Sequence, residues 1–171
     1  MTLFDGFDYL IEPLGSHHNR AVFSCGIESL DVYFQRQAGQ DARKRVAAPF
    51  VWLDRSSDIV AGYYTLSKAG INLVDLPTEI TKKLPKYPVV PATLLGRLAV
   101  DKKYQGKGLG EILLMDALQR SLQNEIASMA VVVDAKDDNG RSFYEHYQFI
   151  RFPDYANRLF LPMTTIAKMF E

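Results

Sequence analysis

The sequence predicts an α/β (α+β) domain with a mixed central sheet, a parallel βαβ core and helices on its flanks, and three observations carry that reading. Residues 94–119 pass from Leu94-Leu-Gly-Arg-Leu-Ala-Val100 through a turn with Gly106, Gly108 and Gly110 into helical spacing at Leu109, Ile112, Leu113, Ala117 and Leu118. Met129-Ala-Val-Val-Val-Asp134 is a continuous apolar run, the signature of a buried strand, so residues 94–133 read as strand, helix and parallel strand. Residues 48–54 and 59–67 are two β-rich runs around Arg55-Ser-Ser-Asp58, which reads as an antiparallel hairpin.

The other elements follow in chain order. Residues 7–13, Phe7-Asp-Tyr-Leu-Ile-Glu-Pro13, alternate weakly and stop at a proline, as a short first strand does. His17 and His18 then fall in a polar loop expected to be solvated, with no metal-ligand spacing to Cys25 or His146. From Phe23 to Val46, Ile27, Leu30, Phe34, Ala38 and Ala42 share one helical face, and Arg36, Arg43, Lys44 and Arg45 lie in the charged remainder. The spacing predicts one helix of about five turns with Gly39 as its weak point. Residues 73–91 carry Pro77, Pro85, Pro88 and Pro91 and are expected to be loop apart from a short helix over 77–84. Residues 137–149 read as a capped helix turning into a strand. Leu159-Phe-Leu161 is expected to close the sheet, and residues 163–171 form a short terminal helix or a tail.

Size and composition set the bounds. The chain of 171 residues is expected to be a single domain over 1–171 with a substantial core, since 47% of it is apolar and 12% aromatic. Twenty basic and 20 acidic side chains cancel, so a nucleic-acid partner has to be met by a local patch. Cys25 is the only cysteine and cannot pair within the chain, which fits a reducing, cytoplasmic setting. A small buried residue near a helix start explains it better than a nucleophile. No apolar run approaches the ~20 residues of a membrane span, and Met1-Thr-Leu-Phe-Asp-Gly6 lacks the basic start of a signal peptide.

The glycine turn carries the chemistry. Backbone N–H groups ahead of a helix have no intrahelical partner and lie at the positive end of its dipole, so the turn is an anion site suited to a pyrophosphate. A Walker loop is excluded because Lys107 is followed by Gly108 rather than Ser or Thr, and a dinucleotide-binding turn because the glycines have the wrong spacing and come late. Gln105-x-x-Gly108-x-Gly110 resembles motif A of the GNAT acetyltransferases, Gln/Arg-x-x-Gly-x-Gly/Ala, and Phe143-Tyr144-Glu145 with Phe149 resembles their motif B. Gln148 stands where that motif usually has glycine, which suggests an altered turn. The resemblance implies the GNAT fold, with a mostly antiparallel mixed sheet, and acetyl-CoA as co-substrate with no metal. It places the coenzyme against Leu98, Ala99 and Val100, against Gln105, Gly106, Lys107, Gly108, Leu109 and Gly110, and against Asn139 and Phe143. It makes Tyr144 the proton donor and a strand amide near Leu98 the oxyanion donor. Read from the residues alone, Tyr144 has a second reading as a helix aromatic packing on the core, and Tyr147 is a decoy three positions on.

Residues 23–34, with Phe-x-Cys-Gly-x-x-x-Leu-Asp-x-Tyr-Phe, and the strand Leu95-Gly-Arg-Leu-Ala-Val-Asp101 resemble more narrowly the GNAT-type toxins of bacterial toxin–antitoxin pairs. That likeness implies acetylation of the amino acid on charged tRNA, a ribbon-helix-helix antitoxin and a homodimer. Residues 92–100 contain no Asp or Glu. A lysine amine, with pKa about 10.4, needs a base more than an α-amine near 8, so the sequence favours a weakly basic amine as acceptor. Candidate tRNA contacts are Arg36, Arg43, Lys44, Arg45, Lys82, Lys83, Lys86 and Arg97, whose alternative is a solvated surface. For mid-strand Arg97 a phosphate, a carboxylate and an exposed face all stand open. Two other functions remain: acetylation of a small amine or protein N-terminus, and a non-catalytic acyl-CoA-binding regulatory module.

Overall fold

The computed structural model describes residues 8–171, so the signal-peptide reading of Met1–Gly6 and the start of the first strand at Phe7 lie outside them. The strands are β1 (Tyr9–Pro13), β2 (Ala48–Asp54), β3 (Ile59–Asn72), β4 (Val89–Val100), β5 (Ala130–Asp134), β6 (Ile150–Arg151) and β7 (Arg158–Pro162). The helices are α1 (Glu28–Val32), α2 (Ala38–Lys44), α3 (Thr78–Thr81), α4 (Leu109–Gln123), α5 (Asp138–His146) and α6 (Met163–Met169). The strand order is β1-β2-β3-β4-β5-β7-β6. By contacts the chain forms two compact units, one of Met1–Leu66 with Arg97–Asp116 and one of Ser67–Gly96 with Ala117–Glu171.

In the first unit β1 pairs antiparallel with β2, and β2 with β3 around the expected polar turn. The core is aromatic: Phe34 stacks on Tyr63 with ring centroids 4.3 Å apart, and Phe23 meets both edge-on. The single helix expected over 23–46 is instead α1, a π-helical turn over Tyr33–Gln37, and α2. The irregularity therefore falls before Gly39, not at it. Tyr33 and Phe34, both buried, lie within the wide turn, which rotates the residues after it and leaves Ala42 half-buried, while Ile27 ahead of α1 is exposed. Arg20 supports the wide turn by donating from Nη1 to the Phe34 carbonyl at 3.2 Å.

His18 is also a correction, because it is buried rather than solvated. The Gly15 amide donates to its Nδ1 at 2.9 Å, which places the ring proton on Nε2, and Nε2 donates to Glu12 Oε1 at 2.7 Å. His17 stays exposed and meets the same oxygen at 3.1 Å. These bonds, His18 first, hold the Glu12 carboxyl below its ordinary value.

In the second unit β4 starts at Val89 and runs through Pro91, so the expected loop ends at Pro88. β4 and β5 are parallel, as expected, with Thr93 opposite Val131 and Leu95 opposite Val133. β7 does not close the sheet: it lies between β5 and β6, pairing antiparallel with both. Burying β7 on both edges suits its Leu159-Phe-Leu161 core, while the two-residue β6 takes the edge. The unit's core gathers Ile71, Val90, Val132, Phe152 and Phe160. α5 is capped by Asp137, which accepts from the Gly140 amide at 2.8 Å. The turn after α5 keeps the conformation a glycine would give it. Gln148 has φ 74°, and its amide donates to the Glu145 carbonyl at 3.0 Å. A left-handed glutamine costs about 1–2 kcal/mol, offset by the hydrogen bonds of the helix end and by burial of Phe149.

The tightest backbone approach in the first unit is at Gly62, where a Cβ would meet the Ala99 carbonyl oxygen at 2.9 Å and Leu113 Cδ1 at 2.8 Å. A carbonyl held in a strand cannot give way as a flexible side chain can. Gly62→Ala should therefore lower stability by about 1–3 kcal/mol in denaturant melts. An unchanged midpoint would show that this contact relaxes freely.

Candidate active site

The glycine loop is fastened at its base. β4 ends at Asp101, whose buried carboxylate accepts from the Ser24 amide at 3.0 Å through Oδ2 and from the Lys103 amide at 2.9 Å through Oδ1. The second bond caps the 3-10 turn Lys102–Tyr104. The Asp101 amide donates to the Ala61 carbonyl, and the Lys102 amide to that of Ser24, both at 2.8 Å. Gln105 then donates from Nε2 to the carbonyls of Cys25 at 2.7 Å and Val100 at 2.8 Å. Its side chain is committed to protein carbonyls, and its amide to Lys102, so its work in the loop is that of a latch.

Above that latch the backbone is open. Gly106 and Gly108 have φ of 79° and 81°, and a Cβ on either would meet nothing within 4 Å. Buried Leu109 anchors the first turn of α4, and Ile112, Leu113, Ala117 and Leu118 continue the expected buried face. The amides of the loop and of the helix's first turn have no carbonyl four residues back to bind within the helix. The loop therefore presents positive backbone groups in open space with glycine where the chain needs a positive φ, which fits a diphosphate. Lys107 adds an exposed ammonium 5.8 Å from the Tyr104 ring. On β4, the pairing with β5 ends at Leu95, so Leu98, Ala99 and Val100 have no β5 partner and their backbone can pair with an extended ligand.

Tyr144, Asn139 and Phe143 stand on α5 in the second unit. Tyr144 is buried with ring centroids 5.2 Å from Phe143 and 5.3 Å from Phe149. Burial alone pushes its phenol above the ordinary tyrosine value, so the hydroxyl stays protonated at neutral pH. The packing and the proton-donor readings thus describe the same side chain. Tyr147 is half-buried against Phe143, and Asn139 is exposed. Cys25 is buried, as expected, and its thiol is pushed up to about 11 by burial and by its bond with Asp31, which makes it a poor nucleophile.

The candidate cations separate into two groups. Arg36, Arg43, Lys44 and Arg45 are exposed in the first unit, and Lys82, Lys83 and Lys86 are exposed in the second. Arg97 is half-buried, and its guanidinium carbon lies 3.5 Å from the centroid of the Tyr33 ring. Sequence reasoning did not find Tyr33 or its partner Asp41, because the π turn that aims them leaves no mark on a 3.6-residue pattern. Among the described residues, Glu12, His17 and His18 form the one group with three metal-capable side chains. The Gly15 bond to Nδ1 leaves His18 Nε2 carrying a proton, so the group is accounted for as a hydrogen-bonded tie between β1 and the following loop.

Comparison with known proteins places this arrangement. Residues 91–168 match the family described as Acetyltransferase (GNAT) domain. The tRNA-acetylating toxin of Mycobacterium tuberculosis (strain ATCC 25618 / H37Rv) is 38% identical over 129 residues, which cover 74% of this chain and 75% of that one. The probable toxin TacT of Sinorhizobium fredii (strain NBRC 101917 / NGR234) is 29% identical over 94% of both chains. The chain belongs to the GNAT acetyltransferase family and is an N-acetyltransferase. It is similar throughout to solved toxins of that family. AtaT complexed with acetyl-methionyl-tRNAfMet superposes with a TM-score of 0.88 at 27% identity, over 96% of this chain and 100% of that one. AtaTR bound with AcCoA gives 0.84 at 27%, over 96% and 99%. A tyrosine-to-phenylalanine AtaT mutant bound to the C-terminus of the antitoxin AtaR gives 0.80 at 25%, over 95% and 98%.

The open space at Gly108 makes a direct test of the loop. Gly108→Val should weaken coenzyme A binding by roughly tenfold or more, because a β-branched residue resists a positive φ and projects into the space an anion needs. Titration calorimetry reads this, and an unchanged affinity would take the loop out of the coenzyme site.

Proposed function

We propose that this protein is a toxin that transfers the acetyl group of acetyl-CoA to the α-amino group of the amino acid on charged tRNA, blocks translation and is neutralised by an antitoxin. The observation that carries the reading is the open loop over Gly106 and Gly108, set after a strand with no carboxylate between residues 92 and 100, in a chain similar throughout to tRNA-acetylating toxins. We read 1–171 as one catalytic domain working in the cytoplasm as a homodimer, with a ribbon-helix-helix antitoxin as partner.

Acetyl-CoA supplies a thioester, whose carbonyl carbon bonds to the amine nitrogen as its bond to sulfur breaks. In this reading the amides of Gly106, Lys107, Gly108, Leu109 and Gly110 hold the diphosphate, with Gln105 keeping the loop in shape. Leu98, Ala99 and Val100 pair with the extended arm, and Asn139 and Phe143 flank it. The Leu98 amide is the donor for the oxygen that gains charge, since a fixed backbone dipole needs no reorganisation. Tyr144 gives its proton to the departing thiolate, and the nitrogen, cationic after attack, loses a proton to solvent from which the phenol is reprotonated; burial suits that role by keeping the phenol neutral. An α-amine with a pKa near 8 is about one-fifth neutral at physiological pH, far more than a lysine, so attack depends less on a dedicated carboxylate base. Arg36, Arg43, Lys44, Arg45, Lys82, Lys83 and Lys86 serve the tRNA backbone, which makes binding salt-dependent.

Expression of the chain alone should arrest bacterial growth. Tyr144→Phe should relieve the arrest and lower the transfer rate by about 100-fold or more while coenzyme binding persists. Because the Tyr144 pKa is raised, the acid form persists as pH rises through the ordinary tyrosine value of about 10, so no alkaline loss of rate should centre there. Undiminished toxicity in the phenylalanine variant would remove Tyr144 from the reaction.

A further inference from the structure

Arg97 is held in an unusual way for a half-buried cation in a strand. The central carbon of its guanidinium lies over the Tyr33 ring, 3.5 Å from the centroid. Tyr33 is itself fixed, donating its hydroxyl proton to Asp41 Oδ2 at 2.8 Å, while Gln37 Nε2 donates to Asp41 Oδ1 at 2.9 Å. The chain of contacts runs through the π turn, and π turns recur at functional sites. Asp41 feels the arrangement: Gln37 first, then Tyr33 and the Arg97 charge, hold its carboxyl below the usual range.

The guanidinium makes no hydrogen bond or ion pair with any acceptor among the described residues. Its nitrogens are not sealed from solvent either, since the one buried side-chain nitrogen without a partner among the described residues is Arg158 Nε. One face of the ion is therefore spent on the tyrosine ring, and the planar fork of N–H donors along its edge is unspent and oriented. That is the geometry of a receptor for a planar pair of anionic oxygens. A stabilising ion pair would have consumed those donors, and stacking leaves them available.

The reaction brings together the coenzyme's diphosphate and 3′-phosphate and the phosphodiesters of the tRNA, and the glycine loop already offers its amides to the diphosphate. Arg97 immediately precedes Leu98 on β4, the residue whose amide the reading above gives to the acetyl carbonyl, so an anion carried by the acceptor is the one to consider. An amino acid esterified to tRNA has no free carboxylate, so the anion nearest its amine is the phosphodiester on the 5′ side of the terminal adenosine. We propose that Arg97, stacked on Tyr33, binds that phosphodiester and so selects an amine carried on an RNA end over a free amine. The assignment rests on the acceptor reading given above.

The test compares intact charged tRNA with aminoacyl-adenosines released from the same pool by ribonuclease A, which cuts after the preceding cytidine and removes the phosphodiester. Fragments from ribonuclease T1, which cuts only after guanosine, keep it. Arg97→Met should lower kcat/KM by about 10- to 100-fold on charged tRNA and on the T1 fragments, the effect of a lost charge-assisted bidentate contact. It should leave the rate on aminoacyl-adenosine within about twofold of wild type, with coenzyme affinity unchanged. Arg97→Lys, which keeps the charge without the fork, should recover part of the loss. Equal loss on aminoacyl-adenosine would make Arg97 a structural residue, and no loss on any substrate would remove it from the site; either overturns the proposal. A wild-type protein that acetylates none of the three substrates but binds coenzyme would overturn the acceptor reading and this assignment with it.

Discussion

The carboxylate of Asp101 is the joint on which the first unit depends. It is buried at the point where β4 ends, and it converts that end into a fixed turn by taking the amides of Ser24 and Lys103. A buried carboxylate is costly unless its oxygens are bonded, and here each oxygen has a backbone donor. Gln105 repeats the connection from the other side, bonding the carbonyls of Cys25 and Val100. The glycine loop thus begins from a base that cannot drift, although its own residues touch little. The same joint fixes Ser24 and Cys25, from which the chain enters α1 and then the π turn that carries Tyr33. One anchoring point therefore governs both the anion loop and the platform under Arg97.

Among the described residues the left-handed backbone falls at Arg45, Asp58 and Gln148 and at three glycines, two of them in the anion loop. Gly106 and Gly108 take positive φ at no steric cost, whereas Gln148 takes φ 74° with a full side chain. That turn sets the exit from α5, whose Tyr144 is buried among Phe143 and Phe149. A phenol in such surroundings is a weak acid with its proton in place, and no carboxylate on residues 92–100 competes for it. A weak acid of that kind, in a chain whose residues 92–100 hold no carboxylate, suits an amine that is already partly neutral.

Much of this could be read before the coordinates. The apolar spacing of α4 named five residues of its buried face, Leu109, Ile112, Leu113, Ala117 and Leu118, and left out Leu114 and Ser121, which are buried as well. The hairpin of β2 and β3 and the parallel pairing of β4 with β5 followed from turn composition and an unbroken apolar run. What the sequence hid depended on distant partners. Gln148 looked like a changed turn, yet the helix-end hydrogen bonds impose a glycine-like backbone on it. His18 looked like a loop residue, yet Glu12 and the Gly15 amide satisfy both ring nitrogens and allow it to be buried. The π turn puts Tyr33 into the core beside Phe34, a place the apolar spacing over 23–46 does not mark. β7 inserted itself between β5 and β6, a choice of strand order that local pattern does not encode.

The central claim is a reaction on one kind of amine, and it has a direct measurement. Purified protein, labelled acetyl-CoA and total charged tRNA are combined, with deacylated tRNA as the control. Label that appears on charged tRNA and is absent from the deacylated control, and that leaves the tRNA when the aminoacyl ester is hydrolysed, is the result the account predicts. Absence of label from charged tRNA, with coenzyme bound and a small amine or peptide acetylated under the same conditions, would contradict it.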